Sequence, residues 1–197
     1  IIGKMHNIDI REFGSGNSGT TNAMRTLGKK YGFMTFFGDA LKAVFAVGVT
    51  YLLFRNSCND SLIAIALYTG LGTILGHNFP FYMNFKGGKG IAASSGVIFS
   101  LVFFDWKFLA LGLITFFVAL ALTKYVSFSS LCLMTGFFLE MVIFGQLNMV
   151  HNLNQSEKLE SYILVGIMMV LSYIRHKDNI KRLVNGTERK IGQKKEA

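Results

Sequence analysis

Charge is what this chain has least of. Only 16% of its 197 residues are Asp, Glu, Lys or Arg, against about a quarter in a soluble domain, so the chain is not written for water. Acidic residues are scarcer still, 11 against 20 basic ones, for a net charge of +9. Two cysteines, Cys58 and Cys132, are too few for a disulfide framework and fix no redox compartment. The four histidines (His6, His77, His151, His176) show no paired spacing and no accompanying carboxylate cluster, so no metal site is expected. A G-x-S-x-G hydrolase elbow is absent. The chain has no initiating Met and no charged stretch leading into a signal peptide. Ile1-Ile2-Gly3 reads instead as the tail of an upstream apolar segment.

What is present is apolar bulk: 51% hydrophobic residues, with 19 Phe and 9 Met, taken as lipid-facing and core material without functional weight. It falls in six blocks, roughly 34–54, 61–76, 91–104, 106–123, 131–147 and 160–174. A helix needs about 20 residues to cross a hydrocarbon core, and most blocks qualify once their flanks are counted. The expected fold is an all-α integral membrane protein, a polytopic helical bundle of about six spans forming one membrane-embedded domain over 1–197. The third block is short and opens in Ala92, Ala93, Ser94, Ser95 and Gly96, so it packs deep against neighbours or crosses only partway.

Six crossings return the chain to its starting side. One side then carries residues 3–33, 77–90, 124–130 and 175–197, with five, two, one and eight Lys or Arg, sixteen of the twenty. The other carries Arg55, Lys107 and Lys158, and Lys42 lies inside a block. The positive-inside rule makes the first side cytoplasmic. A nucleic-acid binder would not space its cations between apolar blocks, so no nucleic-acid partner is expected. Within the blocks, Asp39 and Lys42 can pair at i, i+3 on one helix face, either structurally or for catalysis. Glu140 has no partner in its own block and its role stays open.

Four constellations can carry chemistry. Residues 76–90, GHNFPFYMNFKGGKG, hold the only proline, Pro80, with Lys86, Lys89, Gly87, Gly88 and Gly90. Glycines let backbone N–H groups turn inward to bind an anion, and lysines suit phosphate; a basic loop touching lipid headgroups is the plain alternative. Residues 14–22, GSGNSGTTN, fit G-x-G-x-x-G literally, but no strand precedes them, so a nucleotide site is rejected. The turn still offers an oxyanion or phosphate cradle at a helix N-terminus, with Ser15, Asn17, Thr20 and Thr21 as donors and Arg25 as a fork. Otherwise it is a flexible loop. Residues 124–130, KYVSFSS, read as a hydroxyl-rich turn that helix capping alone explains. In HKDNIKR, His176 and Asn179 share a face if the helix continues, near Arg182. Basic residues after a last span are also ordinary anchors.

Taken in order between apolar spans, GSGNSGTTNAMR, GHNFPFYMNFKGGKG, KYVSFSS and HKDNIKRLVNGTE resemble the bacterial acyl-phosphate:glycerol-3-phosphate acyltransferase family (PlsY), from Ile8 to Glu188. The resemblance implies a seven-helix bundle, of which this chain lacks the start. It implies transfer of an acyl group from acyl phosphate to the 1-hydroxyl of sn-glycerol 3-phosphate, giving lysophosphatidic acid and phosphate without a cofactor. Position by position, it implies that Ser15, Arg25 and Lys89 grip phosphate, supported by Lys86, Gly87 and Gly88, and that Gly14, Gly16, Asn17, Thr21 and Asn22 form the first cradle. His176 and Asn179 orient a substrate, with Arg182 nearby and one hydroxyl among Ser127, Ser129 and Ser130 assisting, Ser130 taken as the binding one. The base is His176 or a substrate phosphate oxygen.

The residues five after the histidines are Arg11, Tyr82, Ser156 and Lys181, so no H-x-x-x-x-D motif of acyl-carrier or acyl-CoA enzymes is present. Ser18 and Thr20 stand where the family usually has Pro and Ala, which loosens the turn without removing a ligand. The expected partners are the two substrates and the bilayer, in a bacterial plasma membrane, with oligomeric state open and a monomer the default. Rival readings are an organic-phosphate transporter or channel, using Asp39, Lys42 and Glu140 as a pathway, and a lipid-headgroup scaffold. One-sided cationic loops and the lack of evident internal repeats weigh against the transporter.

Overall fold

The apolar blocks fold as helices because, with no water to bond the backbone, a helix alone satisfies its own N–H and C=O groups. The computed structural model describes residues 2–58, 61–150 and 153–193, and no strand occurs among them. His151 and the last four residues of the 175–197 tail lie outside the described residues. The helices are α1 (Ile2–Met5), α2 (Thr20–Leu27), α3 (Lys29–Phe54), α4 (Leu62–Asn78), α5 (Ile91–Ser100), α6 (Trp106–Thr123), α7 (Val126–Gln146), α8 (Gln155–Arg175) and α9 (Lys177–Val184). Helices α3, α6 and α7, and α4 taken on through the 3₁₀ turn Phe81–Met83, are long and apolar enough to cross a membrane. The chain is an all-helical integral membrane protein.

Two block boundaries differ instructively from the sequence reading. The supposed turn at 124–130 is only Lys124 and Tyr125, because α7 already starts at Val126. Ser129 and Ser130 donate to the carbonyls of Tyr125 (2.9 Å) and Val126 (2.7 Å), so their hydroxyls bond back into the helix and leave it unbroken. The third block is a ten-residue helix, α5, followed by a 3₁₀ turn Leu101–Phe103.

The chain forms two compact units, Ile1–Ser57 with Ile65–Ser100, and Cys58–Ala64 with Leu101–Ala197. In the first, α5 packs on α3 and α2 on α3. The α3–α5 contact needs a glycine: a Cβ on Gly96 would fall on the Ala40 carbonyl oxygen. The face of α5 that packs is made of the small residues noted above, with Ala92, Ala93, Ser94 and Gly96 all buried. In the second unit α7 packs between α6 and α8, around Phe108, which sets its ring edge to face against Phe137 (6.0 Å) and Phe144 (5.7 Å).

Candidate functional site

The first glycine loop is shaped by Asn22 rather than lined by it. Its side chain is 1% exposed. Oδ1 accepts from the Ser15 backbone N–H at 2.8 Å, and Nδ2 donates to the carbonyls of Ile10 (3.0 Å) and Phe13 (2.9 Å). Three bonds from one buried amide fix the approach to α2 and leave Asn22 no donor for a ligand. The loop can fold this tightly because Gly14 and Gly16 take left-handed conformations (φ 63° and 69°), open to glycine without strain. A Cβ on Gly14 would strike Asn22 Oδ1. Asn17 Oδ1 accepts from Gly19 N–H at 2.9 Å, closing the turn at the helix start. Gly19 caps α2 without a side-chain bond, so the helix opens with backbone N–H groups and a positive dipole end. Ser15 is exposed, Thr21 half-buried, and Arg25 exposed on the last turn of α2. The Thr20 hydroxyl is buried without a hydrogen-bond partner among the described residues.

The second loop is seated on the end of α4. Gly87 N–H donates to the Asn78 carbonyl at 3.1 Å. A Cβ on Gly87 would meet the His77 carbonyl, and one on Gly88 would meet His77 Nε2. Gly90 has φ 85° and packs on the Asn78 amide. Backbone this close to backbone admits only glycine, which explains the GGKG run physically. Gly87 and Gly88 are buried, Lys89 is half-buried and Lys86 exposed. The Asn78 side chain is fully buried, and neither its Oδ1 nor its Nδ2 has a hydrogen-bond partner among the described residues.

In the second unit the organising group is Glu188, a residue that sequence reasoning did not select. Its Oε1 accepts from Ser127 Oγ (2.9 Å) and Asn179 Nδ2 (2.7 Å), and its Oε2 from Arg182 Nε (2.6 Å). Burial opposes the charge, but the bonds from Arg182, Asn179 and Ser127 outweigh it and hold the carboxyl below the ordinary glutamate value. Asn179 thus commits one of its two amide hydrogens to Glu188. The available signal was that Glu188 and Asp178 are the two acids in an otherwise basic stretch, 175–193.

His176 does not continue α8. It sits at the junction of α8 and α9 with φ −101° and ψ 9°, 3% exposed. Its Nδ1 lies 2.8 Å from the Ser172 carbonyl. A carbonyl only accepts, so Nδ1 carries the hydrogen and the neutral ring's lone pair is on Nε2. Ser130, the expected hydroxyl ligand, is 2% exposed and donates to Val126, leaving its oxygen lone pairs. The structure brings Ser127, Asn179 and Arg182 together around Glu188. The expected residues divide between the units: Gly14 to Asn22, Arg25 and Lys86 to Lys89 in the first, and Ser130, His176, Asn179 and Arg182 in the second. Glu140 is 8% exposed with Oε2 unpartnered among the described residues. No group of three or more His, Cys, Asp or Glu with metal-binding geometry occurs among the described residues.

Comparison with known proteins finds relatives over nearly the whole chain. A glycerol-3-phosphate acyltransferase 2 of Thermotoga maritima is 41% identical over 185 residues, covering 93% of this chain and 83% of the relative. A glycerol-3-phosphate acyltransferase of Clostridioides difficile is 40% identical over 194 residues, 96% of this chain and 85% of its own. The fold matches the crystal structure of PlsY (YgiH), an integral membrane glycerol 3-phosphate acyltransferase in its glycerol 3-phosphate form. The TM-score is 0.80 at 30% identity, over 97% of this chain and 86% of that one. The family model described as glycerol-3-phosphate acyltransferase matches residues 1–186, and the chain belongs to that family.

Proposed function

We propose that this protein transfers an acyl group from an acyl phosphate to the 1-hydroxyl of glycerol 3-phosphate, giving lysophosphatidic acid and inorganic phosphate. The observation that carries the reading is the pair of glycine-built loops flanked by Arg25, Lys86 and Lys89 among lipid-spanning helices. Both substrates bear phosphate and one bears a lipid tail, so cations at a membrane helix end match both. Ser15, Arg25 and Lys89 hold phosphate, with Lys86 and the Gly87–Gly88 backbone beside them. His176 and Asn179 orient the substrates, and Arg182 holds Glu188 in place behind Asn179.

An acyl phosphate is already a mixed anhydride, so no covalent enzyme intermediate is needed. The glycerol oxygen attacks the carbonyl carbon, the carbonyl–phosphate C–O bond breaks, and phosphate leaves with the electron pair. The hydroxyl proton passes to His176 Nε2 or to a substrate phosphate oxygen, while the cations stabilise the developing oxyanion and the leaving group. The one-sided distribution of Lys and Arg supports a cytoplasmic face of a bacterial plasma membrane for this chemistry.

The test is phosphate release by purified protein in lipid, given palmitoyl phosphate and glycerol 3-phosphate, with palmitoyl-CoA as a parallel donor. Phosphate release that needs both substrates, with lysophosphatidic acid formed and no CoA turnover, is the expected result. Arg25→Ala and Lys89→Ala should each lower kcat/KM roughly ten- to a hundredfold, since a charge-assisted bond is worth about 1.5–3 kcal/mol. Silence with both donors from folded protein, with phosphate-ester flux into sealed vesicles, would establish a transporter instead.

A further inference from the structure

One polar cluster in the first unit has no part in the chemistry above. Asp39 and Lys42 lie one turn apart on α3, and His77 lies in the last turn of α4. Lys42 Nζ is 2.7 Å from Asp39 Oδ1 and 2.6 Å from His77 Nδ1, while Asp39 Oδ1 is 3.3 Å from the same Nδ1. The shorter contact, to a group that only donates, sets the reading of the protons. A hydrogen on Nδ1 would point into an ammonium group at 2.6 Å, so Nδ1 holds the lone pair and accepts from Lys42. On that reading Lys42 donates to both partners, and the ring's hydrogen is on Nε2.

That nitrogen faces the glycine loop. A Cβ on Gly88 would land on His77 Nε2, with Cε1 at 2.8 Å and Cδ2 at 3.1 Å. The His77 side chain is 10% exposed and Asp39 19%, so the ring is locked between the charged pair and the loop backbone. An ion pair in an apolar helix costs desolvation, and here it does something a plain leucine pair would not. It selects one tautomer and one ring orientation under Gly87 and Gly88.

We propose that Asp39, Lys42 and His77 are positioning residues that set the backbone of the 86–90 loop for a phosphate group, acting through the His77 ring. The inference rests on the acyl-transfer reading. It does not depend on which of the two phosphate-bearing substrates the loop holds.

The test is steady-state kinetics in lipid with glycerol 3-phosphate and palmitoyl phosphate titrated separately. The proteins compared are the parent, Asp39→Asn, His77→Ala, Gly88→Ala and the His77→Ala/Gly88→Ala double variant, each checked for a retained thermal midpoint. Asp39→Asn and His77→Ala should raise KM for one phosphate substrate about tenfold with kcat little changed, the signature of lost binding geometry. The substrate whose KM moves identifies the phosphate held. Gly88→Ala should be severe in the parent and much milder with His77→Ala, because the ring it collides with is gone, so the two changes combine to less than the product of their separate effects.

Unmoved KM values, loss confined to kcat with a lowered thermal midpoint, or an equal Gly88→Ala penalty in both backgrounds would each overturn the proposal. A silent parent defeats the acyl-transfer reading and the relay with it. An active parent with unmoved KM values defeats the relay alone.

Discussion

At the scale of single residues, the side chains that organise this molecule are the ones that touch several backbone or charged groups at once. Glu188 accepts from Ser127, Asn179 and Arg182, closing residues 61 and 9 positions apart onto one carboxylate. Because its folded pKa is depressed, the stability it contributes is complete above the ordinary glutamate value and is lost as pH falls through the depressed one. Glu188→Gln should therefore lower the thermal midpoint at neutral pH, by an amount matching about 1.5–3 kcal/mol for a charge-assisted bond lost in a buried site. The difference from the parent should shrink as the solution is made strongly acidic. Equal midpoints at neutral pH would show that the carboxylate carries no such load. The sequence shows Glu188 only as one of two acids in a basic stretch; its partner Ser127 belongs to another block, so the bonding was not visible. Asn22 was read from the sequence as a ligand-binding residue of the first loop; what the structure adds is three bonds joining its amide to Ile10, Phe13 and Ser15, which sequence spacing does not reveal.

At the scale of elements, the helices themselves were legible because apolar blocks of membrane length have one physical solution. Their ends were less so. Ser127, Ser129 and Ser130 look like turn residues by type, yet in an apolar helix Ser129 and Ser130 satisfy their hydroxyls on carbonyls four residues back, and α7 runs straight through them. Small residues were the better guide: the Ala92–Gly96 run foretold deep packing of α5, and Gly96 is where α5 meets the α3 backbone. Helices in lipid associate through this kind of close approach, without a hydrophobic drive between them. Gly96→Val should therefore destabilise by about 1–3 kcal/mol, as overpacking does, and lower the thermal midpoint in detergent. Gly38→Ala serves as the control, since a Cβ there meets nothing within 4 Å and a helical alanine is favoured over glycine. If the two variants melted together, the α3–α5 contact would not be the constraint described here.

At the scale of the whole molecule, the proposed arrangement across the membrane rests on where the cations fall. Sixteen of twenty Lys and Arg occupy the segments 3–33, 77–90, 124–130 and 175–197, and moving any of them through a bilayer is expensive. The number of crossings is harder to read from sequence. Helix α5 is only ten residues long, and α8 begins in Glu157 and Lys158, so neither announces a span as α3, α4, α6 and α7 do. Thiol labelling tests the arrangement directly, because the natural cysteines are both free. With Cys132→Ala removing the thiol inside α7, Cys58 follows α3 and should react with a membrane-impermeant maleimide from outside intact bacterial cells. Lys86→Cys, made with Cys58→Ala at an exposed position of the second glycine loop, should react only in inside-out vesicles. The opposite pattern would put the glycine loops outside the cell, where the positive-inside rule does not place so many cations. Labelling of both positions from the same side would mean that α3 and α4 are not joined across the membrane as successive spans, and the six-crossing reading would fall with it.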